Sequence, residues 1–174
     1  MSETLEAAIP HELDRQAERL MHQICDRKLK VATAESCTGG MLAALLTDIE
    51  GAGRGFERGF VTYTEESKTD LLGIDPEILK HNEAVSEVVA RAMAEGALVR
   101  SPADIALGVT GFAGPAGPDH EEGLVHMALA RRNKSTIHRE EHFGAIGRGP
   151  VRVRSLQSMM DMLEQALASE RHSS

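Results

Sequence analysis

Short apolar segments alternate along this chain with segments whose apolar residues recur every three to four positions. The clearest short segment, residues 104–110, is almost continuously apolar, which is typical of a strand buried on both faces. Parallel strands that alternate with helices need crossover connections, and those connections cover the sheet. The pattern therefore predicts an α/β protein with a mixed, largely parallel sheet between two layers of helices.

Five segments are strand candidates, and the stretches around them have helical periodicity. The predicted strands are residues 30–34, 59–63, 104–110, 124–130 and 136–143, and the last two are expected to form a hairpin through Arg132-Asn133. The predicted helices cover roughly residues 10–28, 41–49 and 64–72, a short segment from Asp75, a segment from Ser86 to about Ala97, and residues 156–167.

Length and charge narrow the functional classes. With 174 residues the chain is expected to form one domain over residues 1–174, with its core at about 10–170. The net charge of −8 disfavours a non-specific nucleic-acid binder, which needs a basic face to neutralise phosphates. Aromatic residues make up only 3%, so platforms for stacking bases are scarce.

Targeting and redox signals favour a cytoplasmic protein. The first residues are acidic and lack the apolar core of a signal peptide, and no stretch approaches 18 apolar residues. The two cysteines, Cys25 and Cys37, cannot provide a disulfide framework.

Three loops follow the first three predicted strands, where open α/β sheets bind ligands. The first loop contains Ser36 and Thr38 before an apolar helix, whose free backbone N–H groups would favour an anion. Gly39 and Gly40 leave room for a close approach. A simpler interpretation is that Ser36 or Thr38 caps the helix and that the glycines only turn the chain.

The second loop offers a candidate base for Ser36. Lys68 lies about one helical turn beyond Thr64, and Tyr63, the single tyrosine, stands at the strand end. A serine hydroxyl is a poor nucleophile unless a base removes its proton, and a partly desolvated lysine can act as that base. The alternative is that Lys68 is a solvated surface charge and Tyr63 a half-buried strand end.

Four motifs in order resemble the CinA C-terminal domain family. They are AESCTGG at residues 34–40, GFVTYTEESK at 59–68, AVSE at 84–87 and TGFAGP at 110–115, with a weaker match at Gly147-Arg148 and Val151-Arg152. The resemblance spans roughly residues 10–170. It implies a three-layer α/β/α sandwich with a five-stranded mixed, mostly parallel sheet, usually in a homodimer. It also implies the activity of a nicotinamide-nucleotide amidase, which hydrolyses nicotinamide mononucleotide to nicotinic acid mononucleotide and ammonia.

The resemblance also implies roles for individual residues, without a cofactor or a metal. Ser36 would be the nucleophile and Lys68 the base, with the proton passing directly or through Tyr63. N–H groups near Thr38 and Gly39 would stabilise the oxyanion. The expected partner is a small nucleotide, with no nucleic acid or membrane. The expected substrate contacts are Glu35, Thr38, Gly39, Gly40, Thr110, Gly111, Ala113, Gly114 and Arg148, with Arg148 a candidate for the phosphate.

The chain departs from the family pattern around the expected substrate loop. Glu65 stands where the family commonly has Asn, Pro118 where it has Gly, and residues 120–123 read His-Glu-Glu-Gly instead of Lys-Pro-Val-Gly. These departures favour an alternative: a non-catalytic module of the same fold that binds a nucleotide-like ligand or a partner protein. Ser36, Tyr63 and Lys68 are intact and favour the enzyme.

Other motifs are assigned no function. HREEH at residues 138–142 resembles a zinc motif, but strand residues four apart lie about 13 Å from one another, too far to share an ion. His126 is expected to be a surface or half-buried group. Cys37 is expected to be a small buried filler, and Arg152 and Arg154 to be solvated charges.

Overall fold

Residues 9–169 are described by the computed structural model. The strands are β1 (Val31–Glu35), β2 (Phe56–Val61), β3 (Ile105–Gly111), β4 (Leu124–Arg131) and β5 (Lys134–His142). The helices are α1 (His11–Asp26), α2 (Met41–Thr47), α3 (Glu65–Leu72), α4 (Pro76–His81), α5 (Glu87–Val99) and α6 (Arg148–Ala168). Within residues 9–169, no helix is long and apolar enough to cross a membrane.

The five strands form one mixed sheet in the order β2-β1-β3-β4-β5. β1 pairs in parallel with both β2 and β3, whereas β4 is antiparallel to its two neighbours. Four strands therefore point the same way. The carboxyl ends of the adjacent parallel strands β1 and β3 lie side by side, and the region beyond them, called the crevice below, is where open α/β sheets bind ligands.

Helices cover both faces of the sheet, as the apolar pattern predicts. On one face α1, α2 and α6 pack against Ile105, Leu107 and Val109 of β3. On the other face α3, α4 and α5 pack against smaller residues such as Ala106. A Cβ on Gly108 would lie 2.7 Å from the Ala90 carbonyl oxygen, so α5 packs directly on the β3 backbone. This α/β/α sandwich confirms the predicted fold class.

Several element boundaries differ from the sequence prediction: β2, for example, begins at Phe56 instead of Gly59, and two further differences bear on the site. β2 ends at Val61 rather than at Tyr63, because after the Thr62 N–H bonds the Glu35 carbonyl oxygen the chain turns into α3. α6 begins at Arg148, two turns before the apolar stripe that predicts it from Leu156. Those two turns carry few apolar residues, so periodicity misses them. They place two arginines near the ends of β1 and β3.

Candidate active site

The turn after β1 holds Ser36 at the crevice. The Ser36 N–H donates to the Val109 carbonyl oxygen at 3.1 Å, which extends the β1–β3 ladder by one residue. Its side chain is 8% exposed, and within residues 9–169 the hydroxyl makes no hydrogen bond. Gly39 and Gly40 have φ of 63° and 97°, which residues with side chains rarely adopt. The turn thus fixes the Ser36 backbone and leaves its hydroxyl uncommitted.

Glu35 stabilises this turn through hydrogen bonds to its buried carboxylate. Its carboxylate is fully buried and accepts hydrogen bonds from the Thr38 hydroxyl at 2.7 Å and from the Gly40 N–H at 3.0 Å. It also accepts the N–H groups of Leu42 at 3.0 Å and Ala43 at 2.8 Å, which are the orphan donors of the first turn of α2. Glu35 and the Thr38 side chain therefore hold the turn, and their contact with substrate stays a prediction from sequence.

This capping changes which backbone groups can meet an anion. The start of α2 is expected to offer free N–H groups, but Glu35 occupies several of them, and the Gly39 N–H donates to the Ser36 carbonyl oxygen at 3.2 Å. In the described part of the chain, the N–H groups of Cys37 and Thr38 make no hydrogen bond to another residue. The candidate oxyanion donors are therefore the two N–H groups that directly follow Ser36.

Lys68 is buried, which the sequence does not reveal. Its side chain is 1% exposed, and Nζ donates to the Tyr63 carbonyl oxygen at 3.1 Å. Burial lowers the pKa of the Lys68 ammonium, while the charges of Glu65 and Cys37 oppose this shift. In the described structure no hydrogen bond joins Nζ to the Ser36 hydroxyl. Lys68 is a desolvated amine anchored beside the Ser36 turn.

Tyr63 contributes its backbone carbonyl to this arrangement rather than its ring. The side chain is 71% exposed, and the structure gives its hydroxyl no hydrogen bond within residues 9–169. The proton path through the Tyr63 phenol, one of the two expected from sequence, has no contact to support it here. The direct path from Ser36 to Lys68 is the simpler one.

Cys37 is a buried thiol between two cations. Burial raises the pKa of the Cys37 thiol to about 12, although the charges of Arg152 and Lys68 partly oppose that shift. A thiol with such a pKa is not a nucleophile at neutral pH, and its burial agrees with the expectation of a small filler. The same interactions place Arg152 and Lys68 close to the Ser36 turn.

The loop after β3 is packed more tightly than the sequence suggests. The Thr110 hydroxyl donates to the Ala84 carbonyl oxygen at 2.8 Å, so it ties β3 to the segment before α5. A Cβ on Gly111 would lie 2.8 Å from the Leu124 carbonyl oxygen. Ala113 is buried, and a Cβ on Gly114 would lie 2.6 Å from Nη2 of Arg148. Gly114 and Arg148 are in contact, whereas the Thr110 hydroxyl already donates its proton to the Ala84 carbonyl oxygen.

Arg152 belongs to the site, although its sequence context suggests only a solvated charge. Its Nε donates to the Cys37 carbonyl oxygen at 2.8 Å, and its Nη2 lies 3.5 Å from an ideal Cβ on Gly39. Arg148 stands one helical turn earlier on α6, so the two guanidinium groups face the loops after β1 and β3. The Val151-Arg152 match to the family pattern was the one signal that could have identified it.

The arrangement suits acyl transfer. In the described chain, a hydroxyl without a partner, two N–H groups that bond no other residue, a desolvated amine and Arg152 lie around the turn after β1, and Arg148 lies against the loop after β3. Acyl transfer needs groups of these types: a nucleophile, oxyanion donors, a base and cations that can bind an anion.

The chain is similar to proteins of one family. The model of the CinA C-terminal domain matches residues 13–167. A CinA-like protein of Syntrophus aciditrophicus is 43% identical over 148 residues, which are 84% of this chain and 35% of that protein. A CinA-like protein of Akkermansia muciniphila is 50% identical over 115 residues, 65% of this chain and 28% of that protein. The chain thus spans about a third of the length of these relatives.

Solved structures share the fold almost end to end. The competence/damage inducible protein CihA from Agrobacterium tumefaciens has a TM-score of 0.88 and 42% identity, over 92% of this chain and 98% of that chain. A CinA superfamily protein from Escherichia coli has a TM-score of 0.83 and 28% identity, over 95% and 94% of the two chains. The names of these proteins specify no reaction.

Proposed function

Because this chain belongs to the CinA C-terminal domain family, we propose that it is an amidohydrolase that converts nicotinamide mononucleotide into nicotinic acid mononucleotide and ammonia. The observation that carries the proposal is Lys68. This lysine is fully buried, its pKa is lowered by burial, and it is held beside a serine whose hydroxyl has no hydrogen bond within the described chain. A surface charge would have neither property.

The reaction would begin at Ser36. Neutral Lys68 takes the hydroxyl proton as the Ser36 oxygen attacks the carboxamide carbon, and the N–H groups of Cys37 and Thr38 stabilise the resulting oxyanion. When the C–N bond breaks, Lys68 returns the proton to the departing amide nitrogen, which leaves as ammonia. Water, deprotonated by Lys68, then hydrolyses the acyl-enzyme and regenerates the Ser36 hydroxyl.

The Tyr63 carbonyl oxygen orients the amine of Lys68. A neutral amine has N–H donors and one lone pair, and an N–H donates to the Tyr63 oxygen. The lone pair is then free to accept a proton. Burial favours this neutral form because it removes the water that would solvate an ammonium.

The phosphate of the substrate would lie against α6. Arg148 and Arg152 present guanidinium groups to the loops after β3 and β1, and guanidinium binds phosphate through paired N–H donors. Arg152 uses Nε on the Cys37 carbonyl oxygen, and its other N–H groups make no hydrogen bond within residues 9–169. Local positive charge thus favours a nucleotide despite the overall charge of −8.

The decisive experiment measures ammonia release from nicotinamide mononucleotide by the wild type and by Ser36→Ala. We expect the variant to lose at least about a thousandfold in kcat, because the covalent path is gone. Ser135→Ala, at an exposed serine of β5, is the matched control and should keep wild-type activity. No ammonia from the wild type would refute the amidase, and equal release by wild type and Ser36→Ala would refute the role of Ser36.

A second candidate is a non-catalytic module that binds a nucleotide-like ligand. It is favoured by the missing hydrogen bond between Ser36 and Lys68 and by Glu65, which opposes the lowered pKa of Lys68. In the same experiment this function would appear as saturable binding of the nucleotide without ammonia release.

We further propose that the protein is a homodimer and acts in the cytoplasm. The dimer follows from the family resemblance and from an apolar edge at the end of β2, where Val61 is 52% exposed beside Tyr63. Both Cys25 and Cys37 are free, as is usual in a reducing compartment.

A further inference from the structure

Two histidines that are distant in sequence form a hydrogen-bonded pair under α5. His126 on β4 is 7% exposed, and its Nδ1 lies 3.0 Å from Nε2 of His138 on β5. The rings are nearly parallel, with centroids 5.3 Å apart. A hydrogen bond between two imidazoles requires that one facing nitrogen carries a proton and the other does not. The pair therefore depends on protonation.

Charged groups surround the pair on every side. From α5, Glu87 approaches His138 Nδ1 at 3.7 Å, and Arg91 bonds Glu87 at 2.7 Å. From β5, Glu140 lies 3.7 Å from His126 Nδ1 and bonds His142 at 2.8 Å. From the loop before β4, Glu121 bonds His142 at 2.9 Å. The negative charges of Glu87 and Glu140 stabilise one positive charge on the pair.

A second proton on the pair removes the hydrogen bond between the two rings. One added proton still leaves a lone pair on one facing nitrogen, so the N–H···N bond survives. With two protons both facing nitrogens carry hydrogen, and two buried cations lie in contact. Burial lowers the pKa of His126 and of His138. The charge of His138 lowers the pKa of His126 further and that of Arg91 lowers the pKa of His138, whereas Glu87 and Glu140 oppose both shifts. Double protonation must break the contact.

The pair joins β4 to β5 beside the start of α5, where Glu87 approaches His138. Other contacts hold α5 on β5: Arg91 donates to the Thr136 carbonyl oxygen, and the Thr136 hydroxyl donates to Glu95 at 2.6 Å. His126 lies opposite Thr110 in the β3–β4 ladder, and Thr110 in turn bonds the Ala84 carbonyl oxygen at 2.8 Å. The ladder that contains His126 is thus tied to the segment before α5.

From this geometry we propose that the His126–His138 pair is an acid-sensitive latch that holds the edge strand β5 against β4. Above the ordinary pKa of histidine the latch is closed. In acid the pair takes up its second proton, the N–H···N bond is lost and the β4–β5 ladder loosens beside the pair. The latch is independent of the proposed amidase reaction.

The sign of the stability change follows from linkage. Both histidines have a lower pKa when folded than when unfolded, so the unfolded chain binds more protons in acid. The latch contributes its full stability above the unfolded pKa of about 6.5. The contribution falls as the pH drops below that value toward the folded pKa.

The test is amide hydrogen exchange of the full chain at pH 7.5 and 5.5, corrected for the intrinsic pH dependence of exchange. In the wild type we expect exchange of the β4–β5 ladder amides beside the pair to accelerate about tenfold in acid, the factor that loss of one hydrogen bond produces. His138→Gln should abolish this acceleration. The Gln amide can donate to neutral His126 or accept from protonated His126, so the contact survives at both pH values.

His142→Gln is the matched control, because His142 is an exposed histidine on the same strand and is outside the pair. It should keep the acid acceleration. An acceleration that persists in His138→Gln, or one that His142→Gln removes, would overturn the proposal. A titration of the wild-type rings by NMR checks the latch without any substitution: two independent titrations at ordinary histidine pKa values would also overturn it.

Discussion

At the residue scale, the protonation of Lys68 decides whether the site can work as a base. Burial lowers its pKa, and Glu65 is the first cause that opposes this shift. Glu65 is also one of the departures from the family pattern, which commonly has Asn there. Glu at this position instead of Asn thus raises the pKa of Lys68 and leaves Ser36 and the Tyr63 carbonyl unchanged.

We predict that Glu65→Asn shifts the acid limb of the kcat/KM profile for ammonia release to lower pH. Without the carboxylate the pKa of Lys68 falls further, so the neutral amine persists in more acidic solution. Glu66→Asn is the matched control, since Glu66 is also an exposed carboxylate in the first turn of α3 but does not shift Lys68. Identical pH profiles for both variants would mean that Lys68 is not the titrating base.

At the element scale, α6 covers the sheet and also supplies two arginines to the site. Its first two turns carry Arg148 against Gly114 and Arg152 against the Cys37 carbonyl oxygen. One helix thereby joins the loop after β1 to the loop after β3. A start at Leu156, as periodicity predicts, would have left the crevice without either guanidinium.

We predict that Arg152→Lys raises KM for nicotinamide mononucleotide about tenfold to a hundredfold, because an ammonium cannot keep the Nε contact to the turn and offer paired donors to a phosphate. KM for nicotinamide riboside, which lacks the phosphate, should change much less. Arg154→Lys, at an exposed arginine of the same helix, should leave both KM values unchanged. A similar rise in KM for both substrates would assign Arg152 to the turn alone.

At the scale of the whole molecule, the two edges of the sheet differ. β5 has mostly polar and charged residues, which discourage edge pairing. β2 ends in exposed Val61, which lies beside Gly40 of the Ser36 turn, and exposed Tyr63 follows two residues later. A second copy packed on β2 would bury this apolar end next to the site.

We predict that Val61→Asp weakens the proposed homodimer at least tenfold, measured by sedimentation equilibrium, because a buried unpaired carboxylate opposes association. Val99→Asp is the control: Val99 is 79% exposed, at the end of α5. A dimer that survives Val61→Asp but not Val99→Asp would place the interface at the end of α5 instead.

The sequence by itself determined the α/β class, the five strands and the segments that carry Ser36 and Lys68, because apolar period and turn residues are local properties. Only the tertiary structure decided that Glu35 turns inward to cap α2, that Lys68 is desolvated and that Arg152 reaches the Cys37 carbonyl oxygen. The His126–His138 contact likewise needs the register of β4 against β5. These contacts join segments that are separated along the chain, so their geometry depends on how helices and strands pack, which no local pattern encodes.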